Sequence, residues 1–87
     1  MRVILTWRTN EISLQFSDQK TVTVKQALLL LRSTQPDVVE SWCDRQGQLR
    51  KSLPAFVNNS HIRYQDDLDT VLKDGDRLHV IPLVAGG

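Results

Sequence analysis

The residues whose type and position suggest chemistry are the last two, Gly86 and Gly87 of the closing "LVAGG". At an average glycine usage of about 7%, such a terminal pair arises by chance in about 0.5% of chains, so the pair alone is a weak signal and its placement must carry the argument. It follows directly on a strand-like segment, and Val84 to Gly87 can extend about 14 Å beyond it. Glycine lacks Cβ, so Gly86 and Gly87 fit a channel too narrow for other residues, where the α-carboxylate is the one reactive group. A carboxylate is a poor electrophile. An ATP-dependent partner can adenylate Gly87 so that AMP becomes the leaving group, its charge held by preorganised donors in that partner. Sulfide or a persulfide then displaces AMP and leaves a C-terminal thiocarboxylate. The tail would carry sulfur to a second enzyme.

Other chemistry finds less support. Cys43 is the only cysteine, which excludes an internal disulfide and a metal site built on cysteine pairs. Its functional reading is a nucleophile or persulfide carrier, but beside Trp42 in an amphipathic stretch it reads better as a small buried hydrophobe. His61 and His79 lack ligand companions and read as ordinary strand residues, and no metal residues are expected. The acidic run Asp66, Asp67 and Asp69 lacks the alternating ligands and closing Glu of a calcium loop, so a solvated loop is expected. There is no phosphate loop, no His-Glu metal pair and no serine in a nucleophile elbow. The chain is expected to be a carrier or co-substrate rather than an enzyme, with no bound cofactor and ATP used by its activating partner.

The elements that position the tail follow from patterning. Eighty-seven residues make one small domain, and a net charge of +1 with acids and bases interspersed gives no basic face for nucleic acid. No apolar run spans a membrane and the first fifteen residues alternate, so a soluble, cytoplasmic protein is expected. "RVILTWR" sets Val3, Leu5 and Trp7 on one face and Ile4 and Thr6 on the other; Thr9 and Asn10 turn the chain, and Ile12, Leu14 and Phe16 alternate in the return strand. Thr23 with Gln26 forms a capping box, Val22 can staple to Ala27, and Val24, Ala27, Leu28 and Leu31 make one helical face. A shorter helix begins near Pro36 with Val38, Val39 and Trp42 inward, and Gly47 marks a loop. "PAFV" and "HIRY" read as short extended pieces separated by Asn58 and Asn59, and "KDGD" turns at Gly75. "RLHVIPLV" then sets Leu78, Val80 and Pro82 against His79, Ile81 and Leu83. The expected fold is α+β: a ubiquitin-like β-grasp whose mixed sheet is covered on one face by a helix. If the first and last strands pair in parallel, the helical region supplies the crossover. We place the β-grasp domain at 1–83 and a flexible C-terminal diglycine tail at 84–87.

"FVNN", "LKDGD" and "VIPLVAGG", in that order, resemble the small sulfur carriers of the MoaD/ThiS family, and with "CDRQGQLR" the chain is closest in pattern to the longer CysO type. The resemblance implies that Gly87 is the glycine adenylated and thiocarboxylated, with Gly86 its channel-threading neighbour. It implies a ubiquitin-activating-like adenylyltransferase of the MoeB/ThiF type as one partner. The other would be a sulfur acceptor, either a cysteine synthase or the large subunit of molybdopterin synthase, whose small subunit this chain would then be. The sheet face away from the helix would dock on both partners through Ile4, Thr6, His79, Ile81 and Leu83, followed by Val84 and Ala85. Exposed apolar residues on one face suit an interface. Two other readings stay open: a ubiquitin-like modifier joined through Gly87 to lysines, and a β-grasp interaction module whose diglycine is incidental.

Overall fold

The computed structural model describes residues 1–17, 21–50 and 53–81. Strand β1 (Arg2–Trp7) turns through Arg8 and Thr9 into β2 (Asn10–Gln15), with which it pairs antiparallel from Arg2↔Gln15 to Trp7↔Asn10. The turn sits one residue earlier than expected, and Arg8 takes the left-handed conformation at φ 54° that closes it. Two residues, Val22 and Thr23, form β3, and helix α1 (Val24–Arg32) follows at once. Its capping box is present as the sequence predicts: Gln26 N–H donates to Thr23 Oγ1 at 3.2 Å and Thr23 N–H to Gln26 Oε1 at 2.9 Å. Val24, Ala27, Leu28 and Leu31 are all fully buried. The apolar face is therefore the inward one.

Helix α2 (Pro36–Glu40) buries Val39 and leads to Trp42, which packs edge-to-face on Trp7 with ring centroids 6.3 Å apart. Short strands β4 (Ala55–Val57) and β5 (Ser60–His61) form a hairpin, β6 (Val71–Leu72) pairs with β3, and β7 (Arg77–Val80) closes the described chain. "HIRY" differs from expectation: only His61 is extended, and Ile62–Tyr64 coil into a 3-10 turn that buries Ile62. A second such turn spans Asp67–Asp69.

The main sheet has the order β2-β1-β7-β4-β5, with β1 and β7 parallel in the centre and antiparallel strands outside. Parallel neighbours need a crossover, and α1 supplies it across one face. This is the β-grasp arrangement expected. Leu5 and Leu78, paired across the central ladder, are both fully buried beneath the helical side. No helix among the described residues is long and apolar enough to cross a membrane.

Candidate functional site

Strand parity decides which residues lie on the sheet face away from α1. Val3 and Leu5 of β1, Ala55 and Val57 of β4, and Leu78 and Val80 of β7 are buried, so the residues between them face outward. The ladder registers align Glu11, Thr6, His79, Phe56 and His61 in one row across all five strands. Thr6 Oγ1 and His79 Nδ1 share a 2.6 Å hydrogen bond at its centre. Phe56 meets His61 edge-on at 4.9 Å between ring centroids, and His61 in turn meets the exposed Tyr64 at 6.2 Å. Arg63 N–H donates to His61 Nδ1 at 3.1 Å, so neutral His61 carries its proton on Nε2. A shallow hollow of about 370 Å³ lies over this row, walled by Thr6, Phe56, Asn58, Asn59, Arg77 and His79.

The structure thus brings together four of the residues singled out in the sequence. Ile4, Thr6 and His79 are half-buried on the open face, and Ile81, at 40% exposure, follows β7 with its N–H donating to Pro54 O at 2.9 Å. Leu83, Val84, Ala85, Gly86 and Gly87 lie outside the described residues, as does Pro82, and with them the boundary placed between 83 and 84. Phe56 and His61 were not assigned to this face in advance. For Phe56 the signal was present, since Ala55 and Val57 flank it with the opposite parity; for His61 it was not, because "HIRY" bends into a 3-10 turn after one residue. Arg77 and Glu11 add an ion pair at 3.5 Å whose side chains are both 59% exposed, and such a pair contributes little to stability.

The two internal motifs have structural roles at the start of β7. Gly75 turns the chain at φ 85°, the left-handed region where glycine is at ease, and its N–H donates to Arg2 O at 2.7 Å. Arg2 N–H donates to Asp74 Oδ1 at 2.7 Å, and Lys73 N–H to Asp76 Oδ2 at 2.8 Å. Asn58, at φ 59°, reaches across with Nδ2 donating to Asp76 Oδ1 at 3.2 Å and Oδ1 accepting from Arg77 N–H at 3.1 Å. Together "FVNN" and "KDGD" lock the start of β7 between β1 and β4. Asn58→Ala removes both side-chain bonds and leaves a Cβ residue at positive φ, a loss of about 2 kcal/mol. Thermal unfolding should register it as a fall of about 10 °C.

Cys43 is buried, and its Sγ–H donates to Val39 O at 3.3 Å, the inert environment expected of it. Asp66, Asp67 and Asp69 are exposed, and no group of three or more His, Cys, Asp or Glu among the described residues is arranged to hold a metal ion.

Comparison with known proteins agrees with this geometry. The ThiS family profile matches residues 6–87. A candidate sulfur carrier protein of Archaeoglobus fulgidus is 34% identical over 70 residues, 80% of either chain. The sulfur carrier protein CysO of Mycobacterium tuberculosis is 37% identical over 41 residues, 47% of this chain and 44% of that one. Among solved structures, small archaeal modifier protein 1 of Methanosarcina acetivorans superposes with a TM-score of 0.73 at 25% identity, over 99% of this chain and 96% of that one. The chain belongs to the ThiS family of small, ubiquitin-like sulfur carriers.

Proposed function

We propose that this protein carries sulfur on its C-terminus. The Gly87 carboxylate attacks the α-phosphate of ATP in a MoeB/ThiF-type activating enzyme, pyrophosphate leaves, and an acyl-adenylate forms. Sulfide attacks the acyl carbon, AMP departs, and the thiocarboxylate donates its sulfur to an acceptor in cysteine or molybdenum cofactor biosynthesis. The observation that carries this reading is the family match running through the final diglycine, on a domain whose open face lies beside the strand leading to it. The chain itself is the co-substrate, and a need for ATP and reduced sulfur is compatible with work in the cytoplasm. Intact-protein mass spectrometry after incubation with an activating enzyme, ATP and sulfide tests it. A mass increase equal to exchange of one oxygen for sulfur, localised to Gly87, is expected. An unchanged mass, under conditions that thiocarboxylate a known carrier, would sink the reading.

The open face serves as the docking surface for activating enzyme and acceptor, with Ile4, Thr6, His79 and Ile81 as contacts and Leu83, Val84 and Ala85 continuing into the partner's channel. Phe56 and Ile81 are the strongest candidates for anchors, being apolar and partly exposed on that face. An interface anchor contributes about 2 kcal/mol or more, so Ile81→Asp should weaken binding of the activating enzyme by about 30-fold. Titration calorimetry would measure it, and an unchanged melting temperature would separate docking from folding. The likeness to a small archaeal modifier protein favours one second reading, conjugation of Gly87 to lysines. Ladders of higher-mass conjugates in cell lysates would mark it.

A further inference from the structure

The sheet has two edges of unequal quality. At one, β5 is two residues long and bends directly into a 3-10 turn. At the other, β2 runs six residues in unbroken one-to-one register with β1, and its sequence, NEISLQ, contains no proline and no lysine. Bulges, prolines and lysines are among the usual means of blunting an edge, and Asn10–Gln15 carries none of them.

Hydrogen-bond parity shows what that edge offers. The Met1 ammonium donates to Phe16 O at 3.1 Å and Phe16 N–H donates to Met1 O at 2.8 Å, so Met1 and Phe16 form a doubly bonded pair. Such pairs alternate along an antiparallel ladder, so Leu14, Ile12 and Asn10 direct their backbone groups at β1. Glu11, Ser13 and Gln15 therefore direct theirs away from the sheet. Ile4 N–H donating to Asp76 O, on the β7 side, agrees with this parity, because Ile4 stands opposite Ser13.

We propose that β2 is a self-association edge, pairing antiparallel with β2 of a second copy about a two-fold axis at Ser13. In that register Ser13 faces Ser13 of the second copy and Glu11 faces Gln15 of the second copy. All the outward-directed residues then fall in doubly bonded pairs. Side chains agree with the register too. The Glu11 carboxylate meets the Gln15 amide, with Arg2 next in line across β1, while the two Glu11 side chains stand about 14 Å apart along the strands. On the inner face Ile12, half-buried in the single chain, meets Leu14 of the second copy. The contact is isologous and closed, so it stops at two copies. The two β7 strands would be separated by five strand spacings, about 24 Å, so both open faces stay free for partners. Strand pairing of this length lies at the small end of specific interfaces, so the dimer is weak and forms with rising concentration.

Sedimentation equilibrium of the full chain should show the average mass rising from 9.9 kDa toward twice that value between about 10 μM and 1 mM. Over the same range, amide exchange at Glu11, Ser13 and Gln15 should slow while that at Asn59 does not change. Ser13→Pro removes an outward donor at a position where an edge strand tolerates proline, and should hold the chain at monomer mass. Ser13→Cys should give a disulfide-linked dimer on oxidation, because the paired Cα atoms stand about 5.5 Å apart, whereas Glu11→Cys should not. A mass of 9.9 kDa throughout, or efficient cross-linking through Glu11→Cys, overturns the proposal. Protection of the three amides only when the activating enzyme is added also overturns it, since the strand on β2 would then be that enzyme's. Should Ser13→Pro fail to fold, as circular dichroism would reveal, exchange in the unaltered chain decides.

Discussion

Removal of Gly87 should abolish thiocarboxylate formation and leave the melting transition of the domain where it was. The truncated chain still ends in glycine and still carries an α-carboxylate, so the chemistry is not lost for want of a functional group. What changes is reach. Each residue of extended chain spans about 3.5 Å, and the carboxylate of Gly86 would stop that far short of the adenylating site. A displacement of about 1 Å in a reacting group costs about 100-fold in rate, so a shift of a whole residue leaves no measurable activation. Appending one glycine to the full chain should be equally damaging, for the opposite reason. Stability should be untouched because the core of the described domain runs from Val3 to Val80. Intact mass after the ATP and sulfide incubation reads the first half of this result, and thermal unfolding the second. Normal thiocarboxylation of the truncated chain would show that Gly87 is not the acceptor of sulfur.

What could be read from the sequence, and what could not, divides along one physical line. Elements with enough residues to display a period were legible. Four residues at helical spacing named the buried face of α1, and alternation in "RVILTWR" and "RLHV" named the inward residues of β1 and β7. Signals held in single residues with unusual backbone demands were legible as well: Asn58 and Gly75 both sit at positive φ. Two-residue strands were not. β3 and β6 exist because Val22 and Leu72 meet over the core and Val24 N–H donates to Thr70 O, contacts between residues about 50 apart that leave no local pattern. Ile62 was misplaced for the same reason, since one buried residue in three fits a strand and a 3-10 turn equally. The open face was legible only where its strands were. Ile4, Thr6 and His79 came from periodic segments, whereas His61 entered the row through a register that only pairing with Phe56 reveals.

The second large effect is expected far from that face. Leu28→Ala should destabilise the domain by about 2–5 kcal/mol, because Leu28 is fully buried on the α1 face and its truncation leaves a cavity in the core. A chain of this length has a total stability of roughly 4–13 kcal/mol, so the loss is a large share of it. Thermal unfolding should move down by about 10–25 °C. The informative part of the experiment is the activity below that transition. Leu28 lies on the helix side of the sheet, whereas the row from Thr6 to Phe56 lies on the other, and β7 is held at its start by Asn58, Gly75 and Asp76. While the variant stays folded, its binding to the activating enzyme should therefore match that of the unaltered chain. Ile81→Asp should do the reverse, with full stability and weakened docking. Loss of docking in folded Leu28→Ala would mean that α1 sets the shape of the open face through the sheet, and the division of labour between the two faces would have to be abandoned.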